Sequence, residues 1–338
     1  MKPRLYDQFK EFHDLIKLDK ESSLLKEKRD ILQADFEKKF PKILKEHGIT
    51  VNKSDLRFID QGSYRQGIST TIDDTTIDRD VAVIFPLDIK ENDDPRKIKG
   101  FARDALTINN IREPKIKEPC VTVQYLQQGE ENMHIDFPLY AESDGTVYLA
   151  RGKEYSSTYK WEPGDPDGLN DYLESYFAGD QGTQLRRIVR FIKKWRQEKY
   201  GESYTKDHRP PSIGITLLAC QHFDYYSVDG YDDDLNALYR VVNGITNSFI
   251  PNFSGEHTIT KRLPVTPETD VFYKMTDADE EVFYAKLSEF RDNLLNAINA
   301  NEEYEAAKYI QKSLGTDFKL PEKPKSTSAK SKSENSYA

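Results

Sequence analysis

The run "IDRDVAVIF" sets two carboxylates, Asp78 and Asp80, at the head of an otherwise apolar stretch. An apolar run of this length and composition reads as a strand buried in a sheet. Residues i and i+2 of a strand point to the same face, so both carboxylates aim at one point. Upstream, "FIDQGSYRQGIS" holds a Gly62-Ser63 turn whose backbone can approach a phosphate closely. Downstream, the alternating run "MHID" ends in Asp136. A third carboxylate from a second strand would complete a cage for two hard divalent cations.

This is the equipment of nucleotidyl transfer. Attack of a sugar hydroxyl on a phosphoanhydride needs the hydroxyl deprotonated and the leaving pyrophosphate neutralised, which two metal ions about 4 Å apart accomplish. Mg²⁺ takes oxygen ligands and shares them between carboxylates and substrate phosphates, and Mn²⁺ can substitute. Asp78 and Asp80 are expected to bridge both ions, and Asp136 to ligate only the ion that activates the hydroxyl. Gly62 and Ser63 would offer backbone N–H groups and a hydroxyl to a triphosphate. Taken singly, an Asp-x-Asp, a Gly-Ser pair or a strand-end aspartate is common; their conjunction in this order carries the reading.

The bulk properties narrow the class. A net charge of −9 argues against a protein that coats nucleic acid, so no stable nucleic-acid partner is expected. The two cysteines, Cys120 and Cys220, fall in a strand pattern and an apolar helix pattern, the usual setting of small buried thiols. No apolar run approaches membrane-spanning length and no signal peptide is visible, which predicts a cytoplasmic protein with no membrane partner.

The pattern changes along the chain. Residues 1–46 read as two helices or one long bent one, with Leu5, Phe9, Phe12, Leu15, Ile16, Leu24, Leu25, Ile31, Leu32 and Phe36 at helical spacing. Residues 47–160 read as a mixed sheet with a crossover helix in "PRKIKGFARDALTI", and 161–316 as a helical half after the Pro163-Gly164 break. Residues 317–338, rich in Lys, Ser and Pro, read as a disordered tail. In "LRRIVRFIKKWRQEK" the apolar Leu185, Ile188, Val189, Ile192 and Trp195 share one side, with Arg186, Arg190 and Lys193 opposite and Arg187 and Lys194 flanking. This helix is either an amphipathic one with a solvated charged face or a source of a lysine, Lys194, for the triphosphate. Ser212, after the Pro210-Pro211 break, could add a hydroxyl from a helix N-terminus.

At these residues the chain resembles the cGAS/DncV-like nucleotidyltransferases of bacterial cyclic-oligonucleotide anti-phage (CBASS) signalling. The core motif "QGSYRQGIS…TIDRDVAVIF…HID" carries the likeness, and the helical segments agree in order and spacing. The resemblance implies an α+β fold: a polymerase-β-like mixed-sheet lobe and a C-terminal helical lobe, braced by the N-terminal helix, with the active site between lobes. It implies a cyclic oligonucleotide synthase, with a cyclic dinucleotide as the expected product, fed by ribonucleoside triphosphates and read by a downstream effector. By the same carry-over Asp78, Asp80 and Asp136 are the metal triad, Gly62 and Ser63 the phosphate turn, and Lys194 and Ser212 triphosphate contacts. Ser212 is followed by Ile213 where relatives often have a base-stacking tyrosine, so base stacking must come from elsewhere. The C-terminal Ala338 could be joined to targets by a ubiquitin-transfer-like enzyme. The competing readings are a toxin-type transferase acting on protein or tRNA and a catalytically idle nucleotide-binding scaffold.

Overall fold

The computed structural model describes residues 4–18, 23–70, 77–109, 111–127, 130–201, 204–205 and 208–323. The elements run in order α1 (Tyr6–Ile16), α2 (Ser23–Glu46), β1 (Arg57–Gln61), α3 (Gly62–Gln66), β2 (Ile77–Pro86), α4 (Pro95–Leu106) and β3 (Lys115–Ile116). Then come β4 (Val121–Gln127), β5 (Glu130–Phe137), β6 (Leu139–Ser143), β7 (Thr146–Arg151) and β8 (Lys160–Pro163). The helical half is α5 (Pro166–Tyr176), α6 (Gly179–Lys199), α7 (Ser212–His222), α8 (Asp234–Thr246), α9 (Asp277–Asn299) and α10 (Glu303–Leu314). Two short hairpins interrupt it, β9 (Ser227–Val228) with β10 (Tyr231–Asp232), and β11 (Ile250–Pro251) with β12 (His257–Thr258). The fold is α+β.

The mixed sheet has the order β3-β4-β5-β2-β6-β7-β8, with β1 on the other edge of β2. The chain from β5 through Pro138 into β6 follows one edge of β2 in a single parallel register: Asp80 faces Asp136, and Val83 faces Leu139. Pro138 lacks an N–H, so it breaks the ladder there, but its carbonyl still accepts from Val83 N at 2.9 Å. Alternate residues of β2 split between two environments. Val81, Val83 and Phe85 pack beneath α2 and α4, whereas Ala82 and Ile84 join Tyr140 on the opposite face. That second face is also the one on which Asp78 and Asp80 stand.

The N-terminal segment forms two helices that serve different cores. Phe9, Phe12 and Ile16 of α1 are buried with the helices of the C-terminal half, and Leu32, Phe36, Phe40 and Leu44 of α2 with the sheet. Apolar burial at roughly 25 cal/mol per Å² makes each stripe a substantial anchor. Phe318 corrects the expectation that disorder begins at 317. It is fully buried, with its ring 5.1 Å from Phe9 and 5.4 Å from Phe12. Ala338 and the rest of 324–338 lie outside the described residues. Both cysteines are free and buried. Among the described residues no helix is long and apolar enough to cross a membrane.

Candidate active site

The end of β2 and the turn after β1 form one constellation. β1 runs antiparallel to β2 with Gln61 opposite Asp80, so the chain must turn immediately beside that carboxylate. Gly62 makes the turn with φ +67°, and a Cβ built there would stand 2.3 Å from Asp80 Oδ2. Both the left-handed backbone and the close approach demand glycine. Ser63 follows as the second residue of α3, and Lys193 of α6 donates to its Oγ at 2.5 Å and to the Ile68 carbonyl at 3.2 Å.

The three aspartates share one face of two neighbouring strands. Asp80 is paired in register with Asp136, and Asp78 with His134. Asp78 Oδ1 lies 3.2 Å from His134 Nδ1, whose Nε2 meets Gln124 at 3.1 Å. Asp136 is more enclosed: Oδ1 is buried without a hydrogen-bond partner, and its nearest cation is Lys117 Nζ at 3.8 Å. Burial pushes the adjacent Cys120 thiol up to about 12, and the Asp136 charge adds to it. Tyr140 beneath the cluster is likewise pushed up to about 12 by burial, with the Asp80 charge contributing.

Among the described residues no three His, Cys, Asp or Glu side chains form a ready-made metal cage. The donor set nevertheless fits hard cations. It is all oxygen, it contains a buried carboxylate oxygen with no hydrogen bond, and it adjoins a glycine that holds the backbone against Asp80.

The basic helix is neither a solvated face nor an arm that delivers Lys194. Arg190 and Lys193 are 8% and 3% exposed. Their side chains clasp the loop after α3: Arg190 donates to Gly67 O at 2.5 Å and Ser69 O at 3.2 Å, and Arg186 to Gln66 O at 3.0 Å. Arg190 also donates to His13 Nε2 of α1 at 2.8 Å, and burial beside this guanidinium lowers the His13 imidazole to about 4. Lys194 points elsewhere, to Glu198 at 2.7 Å and Asp317 at 3.0 Å. One residue is about 100° of helix rotation, which separates the two lysines completely. Lys193, not Lys194, is therefore the lysine that meets the Gly62-Ser63 turn. The signal was in the sequence, because Arg186, Arg190 and Lys193 form an i, i+4, i+7 stripe that excludes Lys194. Ser212 is the first residue of α7, and Arg196, one turn beyond Lys193, reaches its Oγ at 3.4 Å.

Residues 56–140 match the family model for the nucleotidyltransferase domain of DncV-like cyclic GMP-AMP synthases. The chain is similar in structure to Vibrio cholerae DncV cyclic AMP-GMP synthase, a prokaryotic cGAS homolog, with TM-score 0.69 and 18% identity. That alignment covers 94% of this chain and 97% of DncV. The same V. cholerae enzyme with the linear intermediate 5′ pppA(3′,5′)pG aligns at TM-score 0.70 and 19% identity, covering 96% of this chain and 100% of that one. Its complex with nonhydrolyzable GTP aligns at 0.69 and 19%, covering 94% and 97%. At such identities the structural likeness establishes the fold. No curated protein matches the sequence significantly.

Proposed function

We propose that this chain, whose residues 56–140 match the family model for the nucleotidyltransferase domain of DncV-like cyclic GMP-AMP synthases, joins two ribonucleoside triphosphates into a cyclic dinucleotide. The observation that carries the reading is the convergence of Asp80, Gly62, Ser63 and Lys193 at one end of β2, with Asp136 in register beside Asp80. Asp78, Asp80 and Asp136 would hold the metal ions, and Gly62, Ser63 and Lys193 would bind the triphosphate. Ser212 adds a hydroxyl from the helical half. Bound Mg²⁺, or Mn²⁺ in its place, supplies activation of the attacking hydroxyl and neutralisation of the leaving pyrophosphate. Lys193 contributes a buried positive charge at the Ser63 hydroxyl, where a triphosphate oxygen can replace that hydroxyl as acceptor. The enclosed Asp136 is suited to the ion at the acceptor hydroxyl, because a carboxylate oxygen shielded from water keeps its ligating strength. Arg190 and Arg186 hold the loop behind the turn, so the site does not reorganise as charge moves.

The finer reading is a second-messenger synthase of anti-phage defence, acting in the cytoplasm, whose product a downstream effector senses. Conjugation of Ala338 by a ubiquitin-transfer-like enzyme belongs to the same reading. Deleting Ala338 alone and blotting for conjugates in cells carrying the neighbouring genes tests that step; an unchanged pattern removes it.

The test of the activity is incubation with four radiolabelled ribonucleoside triphosphates and Mg²⁺ or Mn²⁺, then phosphatase treatment and chromatography. A phosphatase-resistant small product is expected from the wild type and not from Asp78→Ala/Asp80→Ala. Label on protein or tRNA instead would establish the toxin-type reading.

A further inference from the structure

Beside α3 lies a cavity of about 330 Å³ lined by Asp60, Tyr64, Arg65, Gln66, Glu174 and Arg186. Its charged groups are almost all paired internally. Arg79 donates to both oxygens of Asp60 at 2.8–3.0 Å and covers the Tyr64 ring at 4.2 Å, and Arg65 meets Glu174 at 2.6 Å. Two groups are left over. Gln66 is 2% exposed, yet among the described residues neither its Oε1 nor its Nε2 has a hydrogen-bond partner. Arg186 spends only Nε, on the Gln66 carbonyl, and among the described residues no carboxylate meets its guanidinium. Burial alone shifts this guanidinium, downward. A buried amide with donor and acceptor both unused is rare in a finished core and costs desolvation energy that nothing in the fold repays.

We propose that this cavity is a binding site, separate from the aspartate cleft, for a small organic anion bearing an oxyanion for Arg186 and an amide-like edge for Gln66. The free fork of a guanidinium matches the two oxygens of a carboxylate or phosphate. A carboxamide that both donates and accepts matches a group that does the same, such as an amide or a lactam. With Asp60 balanced by Arg79 and Glu174 by Arg65, the site carries one uncompensated positive charge. Its volume lies at the small end of ligand pockets, roughly 300–1,000 Å³. The site also touches the glycine-serine turn mechanically, because Gln66 ends the helix that carries Ser63 in its first turn and Arg186 lies on the α6 stripe that holds Ser63.

The test uses the full chain labelled with ¹⁵N at glutamine, with the Gln66 side-chain resonance identified by its loss in Gln66→Leu. One probe is N-acetylglycine, a carboxylate with one amide; the other is guanosine 5′-monophosphate, a phosphate with one lactam edge. At least one is expected to shift the Gln66 resonance saturably, and which one identifies the oxyanion. Arg186→Met should weaken that binding by about tenfold or more, and Ser63→Ala should leave it unchanged. Gln66→Leu should melt at the same or a higher temperature than wild type, as expected for an amide kept for a ligand rather than for the fold. No shift with either probe at about 10 mM, well above the roughly millimolar range of weak ligands, overturns the proposal. A shift that survives Arg186→Met, or one lost in Ser63→Ala, overturns it as well. A melting point lowered in Gln66→Leu would assign the amide to the fold. None of these outcomes depends on whether the aspartate cleft makes a cyclic product.

Discussion

Two charges flank the loop at residues 117–118, one fully buried and one half-buried, and they are treated in opposite ways. Lys99 of α4 is fully buried, and its ammonium donates to three carbonyls, Lys117 O at 2.5 Å, Glu118 O at 2.7 Å and Gly152 O at 2.7 Å. Three donors meet three acceptors, and the group is complete within the chain. Asp136 lies across the turn with Oδ1 buried, no hydrogen bond to it, and Lys117 Nζ at 3.8 Å. A fold under no demand beyond stability would resolve the second as it resolves the first. The difference teaches where this molecule keeps capacity in reserve: at the aspartate cleft, and again at Gln66, polar groups stand ready for something the polypeptide does not supply.

The contrast breaks most sharply by substitution at its two poles. Asp136→Asn is expected to cut product formation by about 10³-fold or more, a barrier increase of about 4 kcal/mol, while leaving thermal stability equal or improved. A steady-state assay beside a melting curve reads both, and an active or a strongly destabilised variant would erase the distinction. Lys99→Met should do the reverse in kind. It strands the Lys117 and Gly152 carbonyls, while Glu118 O keeps Gly152 N at 3.0 Å, and is expected to cost about 3 kcal/mol of unfolding free energy, measured by urea denaturation. A loss under about 1 kcal/mol would mean that water replaces the ammonium.

The lysine pair sharpens the comparison at intermediate size. Lys193→Met should raise the KM for triphosphate by roughly 10- to 100-fold, since hydrogen bonds to charged groups contribute about 1.5–3 kcal/mol. Lys194→Met should change KM by less than about threefold and lower the melting temperature instead, because it abandons Glu198 and Asp317. Equal KM effects from both would mean that α6 rotates when nucleotide binds.

What could be read in advance was whatever depends on local period. Asp78 and Asp80 on one face, the glycine turn, and the helices at 166–176, 179–199 and 277–299 follow from spacings of two and of three to four residues. What could not be read was phase between distant segments. Which of Lys193 and Lys194 meets Ser63 depends on how α6 is rotated against the loop at 66–69, a tertiary fact, although the stripe from Arg186 to Lys193 hinted at it. Phe318 falls within the segment that reads as a disordered tail because its partners, Phe9 and Phe12, lie at the other end of the chain. Gln66 gave no signal at all: a glutamine beside a glycine turn is ordinary, and only its burial without partners sets it apart.

The smallest expected effect lies in the helical lobe, where Glu280 of α9 offers an intermediate between Lys99 and Asp136. Its residue is 7% exposed, and Oε2 accepts from Ile259 N at 2.9 Å, so this carboxylate is partnered once but not saturated. Burial raises it from 4.5 to about 7, and the negative charges of Asp270, Asp277 and Asp279 push the same way. A carboxyl whose folded value exceeds its unfolded one binds protons more tightly when folded. Its stabilising contribution is complete below pH 4.5 and is lost as pH rises through 7. The melting temperature of the wild type relative to Glu280→Gln should therefore fall between pH 5 and pH 7.5, by roughly 2 °C for a domain of this size. The amide keeps the acceptor for Ile259 N but cannot ionise, so its own profile should lack that step. Parallel profiles for the two proteins would show that water or a neighbouring cation already compensates Glu280, and the intermediate would then belong with Lys99 among the groups the fold completes for itself.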